Sequence, residues 1–132
     1  MFTVILHDAP YTTERSWNGL RFAEKVLDSG IPVRVFLFSD AVYVARKGQQ
    51  PPADAPNIEG LLLAILTKGA VVGVCTTCVE ARPYEPAGQV ARCFLGKKDG
   101  GLSLGDLIAG VKMGKMGELV SWCRESQQVI SF

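Results

Sequence analysis

The stretch GVCTTCVEAR, residues 73–82, places two thiols, Cys75 and Cys78, three positions apart directly after an apolar run. Three chemistries use such a C-x-x-C spacing. A structural zinc site would take both sulfurs as thiolates and then needs two more ligands at matching spacing. Of the remaining candidates, Cys93 and Cys123 lie far apart, Cys123 on an apolar helical stripe, and the single histidine, His7, is at the opposite end of the chain. The metal reading is therefore left with half a site. A redox dithiol of thioredoxin type also opens a helix with C-x-x-C, but Thr76 and Thr77 stand where that motif has Trp, Gly and Pro. The third chemistry is a single activated thiolate. If Cys75 closes a strand and residues 76–82 open a helix, the sulfur of Cys75 meets unpaired N–H groups and the positive end of a helix dipole, both of which favour its ionised form. A thiolate, or the persulfide formed when it accepts a sulfur atom, takes sulfur from one partner and hands it to another. Against all three stands plain packing as small buried hydrophobes, the commonest fate of a free cysteine.

The flanking elements decide where these sulfurs sit. Residues 2–6 form a short β-prone run, and Pro10 with Thr12 and Thr13 then marks a loop that opens a helix. Trp17, Leu20, Ala23 and Leu27 recur at helical spacing until Gly30, which suits a left-handed cap. Residues 32–38 make a second strand, apolar apart from Arg34. A brief apolar segment, 41–45, precedes the Pro-rich loop 47–56. Ile58, Leu61, Leu62, Ile65 and Leu66 fit the i, i+3, i+4, i+7, i+8 pattern of a helix, and 70–74 is a third, wholly apolar strand. Further on, the sequence predicts a strand over 90–95, a short helix over 104–111, a helix carrying Met113, Met116, Val120 and Cys123 on one stripe, and a last strand over 129–132. Strands apolar on both faces that alternate with amphipathic helices mean a mainly parallel sheet of about five strands with helices on both faces. Cys75 then lies at the carboxyl end of a strand, the edge where open α/β sheets place ligands and chemistry.

Other residues are weighed against that edge. Tyr11, Thr12 and Thr13 follow the first strand, so on a parallel sheet they share the edge with Cys75; they either start the first helix or line a pocket for sulfur or an anion. Flavin phosphate binding is disfavoured, because PYTTERS has no glycine for close backbone approach. Arg82 is the cation nearest in sequence to the thiols, able to steady a thiolate or to sit as a solvated helix end. GVKMGKMG, with Gly110, Gly114 and Gly117, has neither phosphate-loop pattern and reads as close packing or a subunit contact. His7 reads as a polar strand end.

Composition sets the class. With 132 residues the chain is one ordinary domain, residues 1–132; 48% of it is hydrophobic and 20% charged, and 14 basic against 13 acidic residues leave a net charge of +1. Nothing in that balance attracts nucleic acid. No window approaches the roughly 18 apolar residues of a membrane span, and residues 1–6 lack the basic leader of a signal peptide, so a cytoplasmic location with reduced thiols is expected. Thin surface charge beside high apolar content points to a homo-oligomer.

Four segments in order, DAPYTTERSWNGLRFAEKVLDSG, VRVFLFSDAVYVARKGQ, GVCTTCVEAR and GVKMGKMGELVSWCRESQQVISF, together resemble the DsrE/DsrF-like sulfur-relay family, in its small YchN-like and TusD-like branch. The resemblance spans nearly the whole chain. It implies a flavodoxin-like α/β fold, trimeric or hexameric assembly, no cofactor, and a cysteine after the third long strand that carries sulfur as a persulfide. That cysteine falls on Cys75, with Cys78 one helical turn later as a resolving or second thiol. The implied partners are sulfur donor and acceptor proteins or small persulfides. The chain departs from the family over 83–101, where Pro83 stands in place of a frequent glycine and the connection is longer. The alternative reading is an oligomeric scaffold or small-ligand-binding module whose cysteines only pack.

Overall fold

The computed structural model describes residues 1–51, 53–82 and 102–132. Five parallel strands form one sheet in the order β4-β3-β2-β1-β5. They are β1 (Phe2–Leu6), β2 (Val33–Leu37), β3 (Val71–Cys75), β4 (Lys112–Gly114) and β5 (Gln128–Ser131). The α/β class read from the apolar strands is present; within it the strands step outward from β1 to β4, and the chain then crosses back to add β5 beside β1. Flavodoxin itself runs 2-1-3-4-5.

Strand alternation sorts the side chains onto two faces. Val4 and Leu6 pair with Val35 and Leu37, which pair with Val72 and Val74; all six are fully buried. Against this face lie α1 (Arg15–Asp28) and α2 (Ile58–Thr67), which also pack on each other. Leu20, Ala23 and Val26 of α1 and Ile58, Leu62 and Ile65 of α2 are buried there, at the spacing expected of helix stripes. Both helices end alike. Gly30 and Gly69 take positive φ, and the next residue's N–H returns to the helix, Ile31 to the Val26 carbonyl and Ala70 to that of Ile65. The Asn57 side chain accepts from the Gly60 N–H and opens α2.

The opposite face carries Thr3, Arg34, Phe36, Gly73, Cys75 and Gly114 and is covered by α4 (Met116–Glu125). Trp122 of α4 meets Phe36 edge to face at 5.9 Å, and it lies so close to Gly73 that a Cβ there would sit 3.0 Å from the indole. Arg34, the polar interruption in β2, stacks over Trp122 and pairs with Glu125 at 2.6 Å, so its charge is answered from the same helix. Burying Phe36 and Trp122 contributes a few kcal/mol of hydrophobic stabilisation, roughly 1.5–3 for each large side chain.

Two predicted helices need correcting. Over 104–111 only a 3-10 turn forms, Leu104–Asp106, closed by a capping box between Ser103 and Asp106. The following backbone bonds outward instead of along a helix: Ile108 donates to the Ala45 carbonyl and Leu107 bridges Arg46. Met113 is not on the last helix but in β4, opposite Val74. The helix begins three residues later, and Gly114 fits the strand because Phe36 occupies the space its side chain would take. The strand predicted over 90–95, Cys93 and the departing segment 83–101 lie outside the described residues. Among the described residues, no helix is long and apolar enough to cross a membrane.

Candidate functional site

At the carboxyl end of β3 the chain turns at Cys75 into the short helix α3 (Thr76–Glu80). Alternation puts Cys75 on the face of Gly73 and Gly114, and the residue keeps 6% of its surface exposed; Cys78, one turn on, is half-buried. The sulfur of Cys75 accepts from the Cys78 N–H at 3.4 Å and lies 3.6 Å from the Thr77 hydroxyl. The sulfur of Cys78 in turn accepts from the Ser39 N–H at 3.3 Å. Each of the two sulfurs is thus met by a backbone amide. Ser39 follows β2 with φ 52, a left-handed conformation that non-glycine residues seldom adopt.

The two thiols differ in acidity. Burial pushes the Cys75 thiol up, but hydrogen bonds from the Cys78 and Thr77 side chains, and then from their amides, outweigh it and hold Cys75 below the ordinary cysteine value. Burial pushes Cys78 up as well, and its hydrogen bond to the Cys75 sulfur and the charge there add to the rise; the Ser39 amide and Arg82 only partly oppose it. The first proton therefore leaves Cys75, and the Cys78 thiol remains to donate to it.

Arg82 reaches this cluster through other groups. Its Nη1 donates to the Cys78 carbonyl at 2.8 Å, while Nε and Nη2 donate to Asp40 Oδ1 at 3.1 and 2.7 Å. Arg82 and Asp40 tie the end of α3 to the 3-10 segment Ser39–Ala45, and that tie steadies the Ser39 amide against Cys78. Thr76 fastens the other side by donating to the Gly114 carbonyl.

Tyr11, Thr12 and Thr13 are placed elsewhere on the edge. The Tyr11 hydroxyl accepts from the Ile58 N–H at 2.9 Å, Thr12 donates to the Ala9 carbonyl, and Thr13 donates to Asp8. Together with Glu14, Trp17, Asp54 and Pro56 they line a cavity of about 380 Å³ whose lining does not include Cys75, Cys78 or Arg82. Sequence reasoning thus brought Cys75, Cys78 and Arg82 together and missed Ser39, Asp40 and Thr77. The available signal was position: Ser39 and Asp40 follow β2, the strand paired with β3. His7 bonds Ser131 and sits edge-on to Phe38, as a polar strand end does. Among the described residues, no three His, Cys, Asp or Glu side chains gather as metal ligands, and Cys123 stands on α4 as a separate free thiol.

Comparison with known proteins bears on the family and the fold. The sequence profile of the DsrE/DsrF-like family matches residues 1–132. The uncharacterized protein MJ0989 of Methanocaldococcus jannaschii is 40% identical over 131 residues, covering 99% of this chain and 98% of its own. The protein YchN of Escherichia coli K12 is 30% identical over 131 residues, covering 98% of this chain and 96% of its own. The crystal structure of YchN from E. coli superposes with a TM-score of 0.73 over 99% of this chain and 97% of that one. MTH1491 of Methanobacterium thermoautotrophicum, at 16% identity and a TM-score of 0.66 over the whole of both chains, shares the fold. With its whole length matched by that profile, and its parallel sheet shared with YchN, the chain belongs to the DsrE/DsrF-like family.

Proposed function

We propose that the protein is a sulfur carrier or sulfurtransferase that holds sulfane sulfur as a persulfide on Cys75. The observation that carries this reading is the pair of adjacent sulfurs, each met by a backbone N–H, with the more acidic one at the end of β3. Amide donors stabilise a sulfur anion without adding a competing nucleophile. In loading, the Cys75 thiolate attacks the terminal sulfur of a donor persulfide; the new S–S bond forms as the donor's breaks, and the donor leaves as a thiolate. In unloading, an acceptor thiolate takes the same terminal sulfur and Cys75 returns to a thiolate. Donor and acceptor are proteins or small persulfides. We also assign a homo-oligomeric state, trimer or hexamer, supported by apolar residues left outside: Leu104 is 66% exposed, and Met116 and Val120 on the outer side of α4 are 58% and 52% exposed. Light scattering on the purified protein tests the assembly.

Mass spectrometry tests the chemistry. After brief incubation with a persulfide donor and immediate trapping by alkylation, the peptide holding Cys75 gains the mass of one sulfur atom, and Cys75→Ser removes the gain. The cavity at Tyr11, Trp17 and Pro56 favours a second reading, a small-ligand-binding module with structural cysteines. That reading prevails if the wild-type protein never loads.

A further inference from the structure

The second thiol is held in place as firmly as the first. The Cys78 N–H donates to the sulfur of Cys75 at 3.4 Å, and the Cys78 sulfur is itself held by the Ser39 amide at 3.3 Å, with Ser39 in a left-handed backbone conformation. Residues three apart at a helix start are neighbours, with Cβ atoms about 5–6 Å apart, and a disulfide needs about 3.5–4.5 Å, so a small closure of the five-residue α3 joins them. On a loaded site, the atom that the Cys78 amide already meets is the inner sulfur, Cys75 Sγ; the added sulfur extends one bond beyond it.

We propose that Cys78 is a resolving thiol that attacks Cys75 Sγ in the loaded protein, closes an intramolecular Cys75–Cys78 disulfide and expels the terminal sulfur as hydrosulfide. The step balances: one persulfide and one thiol become one disulfide and one molecule of hydrogen sulfide. The S–S bond to the terminal sulfur breaks and the S–S bond between the cysteines forms. The terminal sulfur is reduced, the two cysteine sulfurs are oxidised by the same two electrons, and the proton of Cys78 ends on the sulfide. An external dithiol then reopens the disulfide by exchange and becomes a disulfide itself. The weakened acidity of Cys78 fits this role, because a thiol that stays protonated attacks slowly and leaves an acceptor time to arrive. Sulfur therefore has two outlets, transfer when an acceptor thiol arrives and release as sulfide when none does.

This inference rests on the Cys75 persulfide, and the experiment separates the two. The wild-type protein, Cys78→Ser, Cys78→Ala and Cys75→Ser are reduced, freed of reductant, incubated briefly with inorganic polysulfide and desalted; sulfide release and peptide masses are then followed without added thiol. The expected result is release of one equivalent of sulfide by the wild type, leaving the peptide with Cys75 and Cys78 two hydrogens lighter than its dithiol form. Both Cys78 variants should hold the added sulfur and release none. If the wild type keeps its added sulfur as stably as the Cys78 variants, the resolving role is overturned and the carrier stands. If neither the wild type nor the Cys78 variants take up sulfur or release sulfide, the carrier reading falls, and the resolving role with it.

Discussion

Two connections leave the carboxyl edge of one sheet, and they use their polar groups in opposite ways. After β1, the hydroxyls of Tyr11, Thr12 and Thr13 all bond within the scaffold, to Ile58, Ala9 and Asp8. After β3, the Cys78 amide and the Ser39 amide across from it bond to sulfur, an acceptor too weak to need them for folding. The difference teaches that place on the edge does not mark a reactive group. What marks it is a strong donor aimed at a weak acceptor, since such an arrangement stabilises the acceptor's charged form more than it stabilises the fold.

The sharpest way to break the comparison is to exchange the roles by mutation. Cys75→Ser is expected to abolish sulfur loading altogether, whereas Thr12→Val and Thr13→Val, on the other connection, should load like wild type; mass spectrometry of the loaded peptide reads both. Next in size is the acidity difference within the thiol pair. Raising the pH takes the proton from Cys75 first, so its alkylation rate climbs and levels off below the ordinary cysteine range. Cys78, held up by burial and by the neighbouring sulfur, should level off above that range, with Arg82 and Asp40 the charged groups beside it. Site-resolved alkylation over pH measures both curves, and coincident curves would remove the contrast.

Smaller effects concern the scaffold. Tyr11→Phe takes away the acceptor for the first N–H of α2 and should cost about 1 kcal/mol in urea unfolding, with loading unchanged. A loss of loading would mean that the connection after β1 does take part in the chemistry. Arg82→Gln should cost under about 1 kcal/mol, since the Asp40 partner is largely exposed. Its informative readout is the Cys78 alkylation curve, which should move to still higher pH once that positive charge is gone.

Much of this was legible in the sequence because the central strands are apolar on both faces. Residues 32–38 and 70–74 read as covered strands, and Ile58 to Leu66 as a helix with one buried stripe. Edge elements were harder. β4 has three residues, less than one helical turn and barely more than one strand period, and Met113 happens to stand three before Met116, so strand and helix readings could not be separated there. The Cys75–Cys78 pair was visible as a motif, while the donor Ser39 and the Arg82 acceptor Asp40 were not, because they come to it through the pairing of β2 with β3 across more than thirty residues. Hydrogen bonds that join distant segments leave no spacing to read.

The pairing of Val74 with Leu37 on one side and with Met113 on the other has a consequence for variation in this chain. A pleated strand has two parities, and slippage by one position inverts both. Deleting one residue from β3 would move Cys75 into the slot of Val74, turning its sulfur toward the layer of α1 and α2, and bring Thr76 into the place it left. A single-codon deletion there should therefore silence the thiol more completely than most substitutions around it, even where every ligating amide is left unchanged.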